Sequence, residues 1–161
     1  MTKSLKELEI GGVSFGLTSG VITTMGMIVG LNSATGNQLA VISAILTVAV
    51  TDSLSDALGI YLSEESRLDE QKKPIWAMAL FTGLGKFLFS LIFIIPFLLF
   101  DLSLAVTVSV ALGVLLIMLL ADFIAKRRGA SSTKAIALHT TLTILVIIVS
   151  YFAGQFAQRW T

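Results

Sequence analysis

Residues 47–62 read TVAVTDSLSDALGIYL, an apolar run that carries two carboxylates, Asp52 and Asp56. A carboxylate at the centre of a bilayer helix costs about 2.5–3.5 kcal/mol on insertion scales. Residues that expensive line a cavity, pair with a cation, or carry ions or protons. Their i, i+4 spacing places both on one face of a helix. The stretch therefore predicts an all-α polytopic membrane protein with a polar site near mid-membrane.

The rest of the chain agrees. Of its 161 residues 55% are hydrophobic and 13% charged, against about 25% charged in a soluble domain. There is no cysteine, which excludes a disulfide framework and a thiolate metal site. The single His139, with no HExxH, GxxxxGK[ST] or GxGxxG string, argues against an enzyme. Basic residues occupy short connections and form no stripe for nucleic acid.

Five apolar stretches each meet the ~20 residues of a bilayer helix. They are predicted at 12–31, 39–62, 75–100, 102–124 and 134–157, within one transmembrane domain spanning 1–161. The first follows a charged N-terminus with no cleavage signature, and reads as a retained helix. Between the third and fourth, Asp101 marks a tight turn, and Pro96 either kinks or ends the third helix.

Lysine and arginine set the expected orientation. Lys3, Lys6, Arg67, Lys72, Lys73, Lys126, Arg127, Arg128 and Lys134 fall on one side, and only Arg159 on the other. The N-terminus is therefore expected in the cytosol and the C-terminus outside. An odd helix count leaves no room for two equal inverted halves in one chain. A symmetric pathway then calls for oligomerisation, most simply a homodimer.

The first span, GGVSFGLTSGVITTMGMIVGL, repeats small residues at Gly12, Gly16 and Gly20 and again at Gly26 and Gly30. Such spacing lets another backbone approach closely in lipid. Hydroxyls at Ser14, Thr18, Ser19, Thr23 and Thr24 offer neutral oxygen ligands or hydrogen bonds. The helix is expected at the protein centre, beside the pathway or the dimer axis.

Lys86, inside the third span, is expected at about the depth of Asp52 on an antiparallel neighbour. A Lys–Asp pair would remove much of the insertion cost of both and leave the other aspartate uncompensated. Asp122, four residues before Lys126, is expected to snorkel and pair at the interface. His139 is expected to be a satisfied polar residue. Glu64 and Glu65, with Asp69 and Glu70, form an oxygen-rich cytosolic link, weak as a cation site because Arg67, Lys72 and Lys73 balance it.

Two strings carry a resemblance. FGLTSGVITTMGMIVGL, with Gly16, Gly20, Thr24, Gly26 and Gly30 in register, resembles the G-x-x-D-G-x-x-[ST]-T-x-G-x-x-x-G pattern of the vacuolar iron transporter family, which includes nodulin-like and yeast calcium-cross-complementing relatives. DSLSDALGIYLSEES is similar to that family's S-M-x-x-G-E-Y-L-S segment, matching at Ser55, Gly59, Tyr61, Leu62 and Ser63. The departures fall on ligands: the family's helix-one aspartate is Ser19, its helix-two methionine is Asp56, and the acid of its G-E-Y string is Ile60.

The resemblance implies a homodimer with helix one near the two-fold axis. It also implies export of a divalent cation from the cytosol against protons. A hard carboxylate in place of a thioether favours Mn²⁺, Fe²⁺ or Mg²⁺. The expected metal-binding oxygens are Asp56, Asp52, Ser19 and Thr23, with Lys86 as counter-charge, the metal (Fe²⁺ or Mn²⁺) as substrate, and no permanent cofactor. The setting would be the plasma membrane of a prokaryote or a vacuolar-type membrane of a eukaryote. The competing readings are transport of another small ion or solute by the same charge cluster, and a membrane scaffold that transports nothing.

Overall fold

A computed structural model describes the backbone of residues 2–66 and 75–160 and the side chains of residues 10–66 and 75–160. The described residues are helical apart from short turns: α1 (Thr2–Thr35), α2 (Gln38–Glu65), α3 (Ile75–Ile92), α4 (Ile94–Leu99), α5 (Leu102–Arg127) and α6 (Ser132–Gln158). With α3 and α4 forming one span, the described residues contain five segments long and apolar enough to cross a membrane. The expected fold class is therefore observed.

The span limits differ from expectation mainly at helix ends. The first apolar segment runs Ile10–Thr35, because Asn32, Ser33 and Thr35 stay helical and the Thr35 hydroxyl bonds the Leu31 carbonyl at 2.8 Å. Gly36, at φ +57°, ends the helix in a conformation that favours glycine. Asn37 then caps α2 by accepting from the Ala40 amide at 3.1 Å. The α1–α2 turn is only two residues long, which holds the two helices antiparallel. Asp101 caps α5 through the Leu104 amide, so its charge serves a helix start.

Pro96 breaks the third span without ending it. Proline has no N–H and its ring crowds the carbonyl four residues back, that of Ile92. The helix accordingly yields at Phe93, whose amide turns to the Ser90 carbonyl at 3.2 Å. Gln38 of α2 donates to the Phe97 carbonyl at 2.6 Å, occupying an acceptor at the end of α4.

α1 lies at the centre, packed against α3, α6, α2 and α5, and is the most buried of the spans; α6 is the least. Its glycines make this possible. A Cβ on Gly12 would meet the Met78 carbonyl at 2.6 Å, and one on Gly16 would collide with the Thr82 carbonyl. One on Gly20 would press on the Lys86 backbone at 3.1–3.2 Å. Gly26 and Gly30 face Ser150 of α6, and Gly154 faces the Gly30 carbonyl in return. The small-residue stripe is thus consumed inside the protomer, by α3 on one side and α6 on the other.

Gly16→Leu is expected to lower stability by about 3 kcal/mol, because backbone rather than a movable side chain stands in the way. Gly59→Leu, where a Cβ meets nothing within 4 Å, is expected to leave the melting temperature in detergent unchanged.

The buried apolar core gathers Val21, Met25, Ile28, Val41, Ile45, Phe93, Phe97, Ala105 and Ile117. These come from the second half of α1, the start of α2, the α3–α4 break and α5. The core therefore closes the half of the bundle nearest the α1–α2 turn. Asp52, Asp56 and Lys86 lie from mid-span onward, toward the other half.

Candidate functional site

Asp52 stands fourteen residues after Gln38 and thirteen before Glu65, so it lies ~20 Å from either end of α2. Lys86 is eleven residues from Ile75 and thirteen from Leu99, also at mid-span. α3 lies between α1 and α2, and its lysine reaches oxygens on both. Lys86 Nζ is 2.5 Å from Asp52 Oδ2 and 2.6 Å from Asp56 Oδ2. It donates to Ser19 Oγ at 2.8 Å, and Ser19 in turn donates to Asp56 Oδ2 at 2.8 Å.

Lys86 is 1% exposed, whereas the side chains of Asp52 and Asp56 are 31% and 23% exposed. The cluster is sealed behind the ammonium and open in front of the carboxylates. The sequence reading paired one aspartate and left the other uncompensated; the structure brings both to the same lysine. The physical reason is the i, i+4 spacing, which puts the two carboxylates one helical turn apart, within the reach of a single flexible lysine stem.

The two aspartates are not equivalent. Asp56 Oδ2 accepts from both Lys86 and Ser19. Asp52 Oδ2 touches the ammonium as an ion pair but receives no aligned hydrogen bond. With both carboxylates and the ammonium ionised, the cluster carries one net negative charge. Three oxygens from two helices converge on one point, which is the arrangement that holds a cation, and the cation there is the lysine's own.

Beside the carboxylates, α2 presents Thr47, Thr51, Ser55 and Gly59 on an exposed face at four-residue intervals. Thr47 and Thr51 bond back to the carbonyls of Ser43 and Thr47 at 2.9 Å, so the hydroxyls are self-satisfied.

The other expected site residues separate. Thr23 is not with the carboxylates; it lines an open groove of about 650 Å³ between α1 and α6, with Gly26, Gly30, Val146, Ser150 and Gly154. Four residues after Ser19, it lies beyond the turn that faces Lys86, and the twist of α1 carries it toward α6. Asp122 pairs with Lys126 at 2.7 Å on the surface of α5, as expected of a snorkelling pair. Removing that pair with Asp122→Asn is expected to leave the melting temperature measurably unchanged, because exposed pairs contribute little.

His139 Nδ1 lies 2.8 Å from the Ala135 carbonyl on its own helix. Glu64 is half-buried and Glu65 exposed at the end of α2. Residues 67–74, with the remaining acids and bases of that link, lie outside the described residues, as do the side chains of Lys3 and Lys6. Among the described residues, no group of three or more histidines, cysteines or acids is placed to hold a metal ion.

Sequence reasoning missed a ladder of buried hydroxyls on α3. Thr82, Lys86 and Ser90 are spaced by four and face α1, with Thr82 and Ser90 fully buried. Ser90 accepts from Thr24 of α1 at 3.0 Å. Thr82 Oγ1 has no hydrogen-bond partner. The spacing was the available signal, a polar residue every fourth position in an otherwise apolar span. Comparison with known proteins finds no matching family model, curated protein or solved structure.

Proposed function

We propose that this protein is a transporter of the lipid bilayer that moves a divalent cation, Fe²⁺ or Mn²⁺, out of the cytosol in exchange for protons. Asp52, Asp56 and Ser19 receive the ion, and Lys86 occupies their site when it is absent. The observation that carries this reading is the convergence of three oxygens from α1 and α2 on one mid-membrane point, with the carboxylates reachable and the ammonium sealed. Carboxylate and hydroxyl oxygens completed by water suit Mn²⁺ and Fe²⁺. The resemblance in α1 and α2 and the distribution of basic residues support the ion and the direction. The exposed hydroxyl face of α2 supports a hydrated crevice or a second protomer beside the carboxylates.

One observation favours a second reading. Lys86 already holds both carboxylates, and a fixed ammonium repels an incoming cation. On that reading the cluster only specifies assembly and nothing is transported. The reconstituted protein separates the two. Proteoliposomes offered a panel of divalent cations, with dyes reporting metal and internal pH, are expected to show saturable Mn²⁺ or Fe²⁺ flux opposed by proton flux. Flux of a different solute that depends on Lys86 would replace the metal assignment, and no flux from a well-folded sample would favour the scaffold.

A further inference from the structure

α5 and α6 meet in a short connection, Arg128 to Ser131, whose two ends are built differently. The end of α5 is closed. The Arg128 amide donates to the Ile124 carbonyl at 3.1 Å and the Ala130 amide to the Ala125 carbonyl at 2.9 Å, with Gly129 at φ +63° making the reversal. The start of α6 is open. Ser131 stands at the N-cap, but its side chain makes no capping hydrogen bond. The first-turn amides of Ser132, Thr133 and Lys134 have no carbonyl within their own helix to bond. No acid occupies that turn, and a base, Lys134, stands where the helix dipole is positive. A helix of 27 residues that begins without a side-chain cap or an acid, and with a cation, is short of an anion.

The bases around this helix start are unmatched as well. From 117 to 139 the chain carries Lys126, Arg127, Arg128 and Lys134 against one acid, Asp122. Asp122 is committed to Lys126 at 2.7 Å. Arg127, Arg128 and Lys134 are exposed and have no ion pair among the described residues. The Arg127 guanidinium lies 4.7 Å from the centre of the Phe123 ring, and Phe123 is 45% exposed on a span apolar enough to cross the membrane. Such a contact occupies the face of the guanidinium and leaves its N–H edge free for an oxyanion. It also holds the charge on the outer side of α5, at the depth where the span ends.

We propose that the α5–α6 turn holds the phosphate of an anionic phospholipid, gripped by Arg127, Arg128, Lys134 and the open amides of α6. This inference stands apart from the transport reading and does not depend on any ion being moved. Charge complementarity argues for the anion. Guanidinium forks and helix N-terminal amides both suit phosphate oxygens. Position argues for lipid rather than a dissolved anion. A connection this short between two spans keeps its bases at headgroup level, and Phe123 sets one of them against the acyl region.

The test uses the full chain in nanodiscs of phosphatidylcholine with an equal share of phosphatidylglycerol, and counts by native mass spectrometry the lipids that stay bound on release. Wild type is expected to retain phosphatidylglycerol in preference. Arg128→Gln and Lys134→Gln are each expected to lower that preference about fivefold. Lys126→Gln is expected to change it little, because Lys126 already faces Asp122. Arg127→Lys combined with Arg128→Lys keeps the charge and removes the forks, and is expected to lower the preference about threefold. The side chains are exposed, so the variants are expected to fold as wild type does in phosphatidylcholine alone. An unchanged preference in either Arg128→Gln or Lys134→Gln overturns the proposal. So does an unchanged preference in the double lysine variant or an equal loss in Lys126→Gln, since charge alone would then act from anywhere on the turn. Displacement of phosphatidylglycerol by millimolar inorganic phosphate would make this a site for a free anion and overturns the lipid assignment.

Discussion

Lys86→Met is expected to lower the stability of the protein by about 3–5 kcal/mol, the cost of leaving buried charge uncompensated. The methionine replaces the lysine stem with an apolar chain of similar length, so packing against Gly20 survives and the loss is electrostatic. Two carboxylates one turn apart then face each other with only Ser19 for relief. The triple variant Lys86→Met, Asp52→Asn, Asp56→Asn is expected to recover most of the loss, because no charge is left to compensate. The single variant also exposes the nature of the site. If the oxygens form a cation site, added Mn²⁺ raises the melting temperature of Lys86→Met by mass action, and by far less in wild type, where the ammonium competes. A melting temperature indifferent to Mn²⁺, Fe²⁺ and Mg²⁺ would mean the oxygens do not take a divalent ion.

Asp56→Asn is the second variant with a large expected effect, this time on flux. Asparagine preserves shape and still meets Lys86 and Ser19 with its carbonyl, while Asp52 keeps the ammonium paired. The cluster becomes neutral overall, so folding is expected to survive. Transport is expected to fall about 10–100-fold, the loss of a charge-assisted contact to the ion. Asp52→Asn is expected to be the more damaging for ion entry and the less damaging for stability. Asp52 is the more exposed carboxylate, and it makes an ion pair with Lys86 but no aligned hydrogen bond. Retained flux and unchanged proton coupling in folded Asp56→Asn would remove Asp56 from the pathway.

The geometry also changes what the buried charges need by way of explanation. Read along the chain, two aspartates and one lysine left one carboxylate orphaned in lipid, and that imbalance argued for a bound ion. In the folded protein the lysine touches both carboxylates, and the cluster as a whole still carries one net negative charge.

How far a sequence is legible here depends on the range of the interaction. Five spans, the break near Pro96 and the shared face of Asp52 and Asp56 follow from hydropathy, covalent geometry and the 3.6-residue repeat, which are local properties of a chain in lipid. The use of α1's glycines as a packing surface was legible for the same reason. Which helices they would receive was not, because a glycine every fourth residue invites any backbone. α3 and α6 of the same protomer take those places through the packing of the whole bundle. The depth match between Asp52 and Lys86 could be reckoned by counting residues along antiparallel helices, but the rotation of α1 could not. That rotation brings Ser19 to the ammonium, and Thr23, one turn further along α1, lines the groove shared with α6. Membrane residence and the presence of mid-span charge were thus determined by the chain itself. The partners of those charges were decided only by tertiary structure, because rotation about a helix axis has no local determinant.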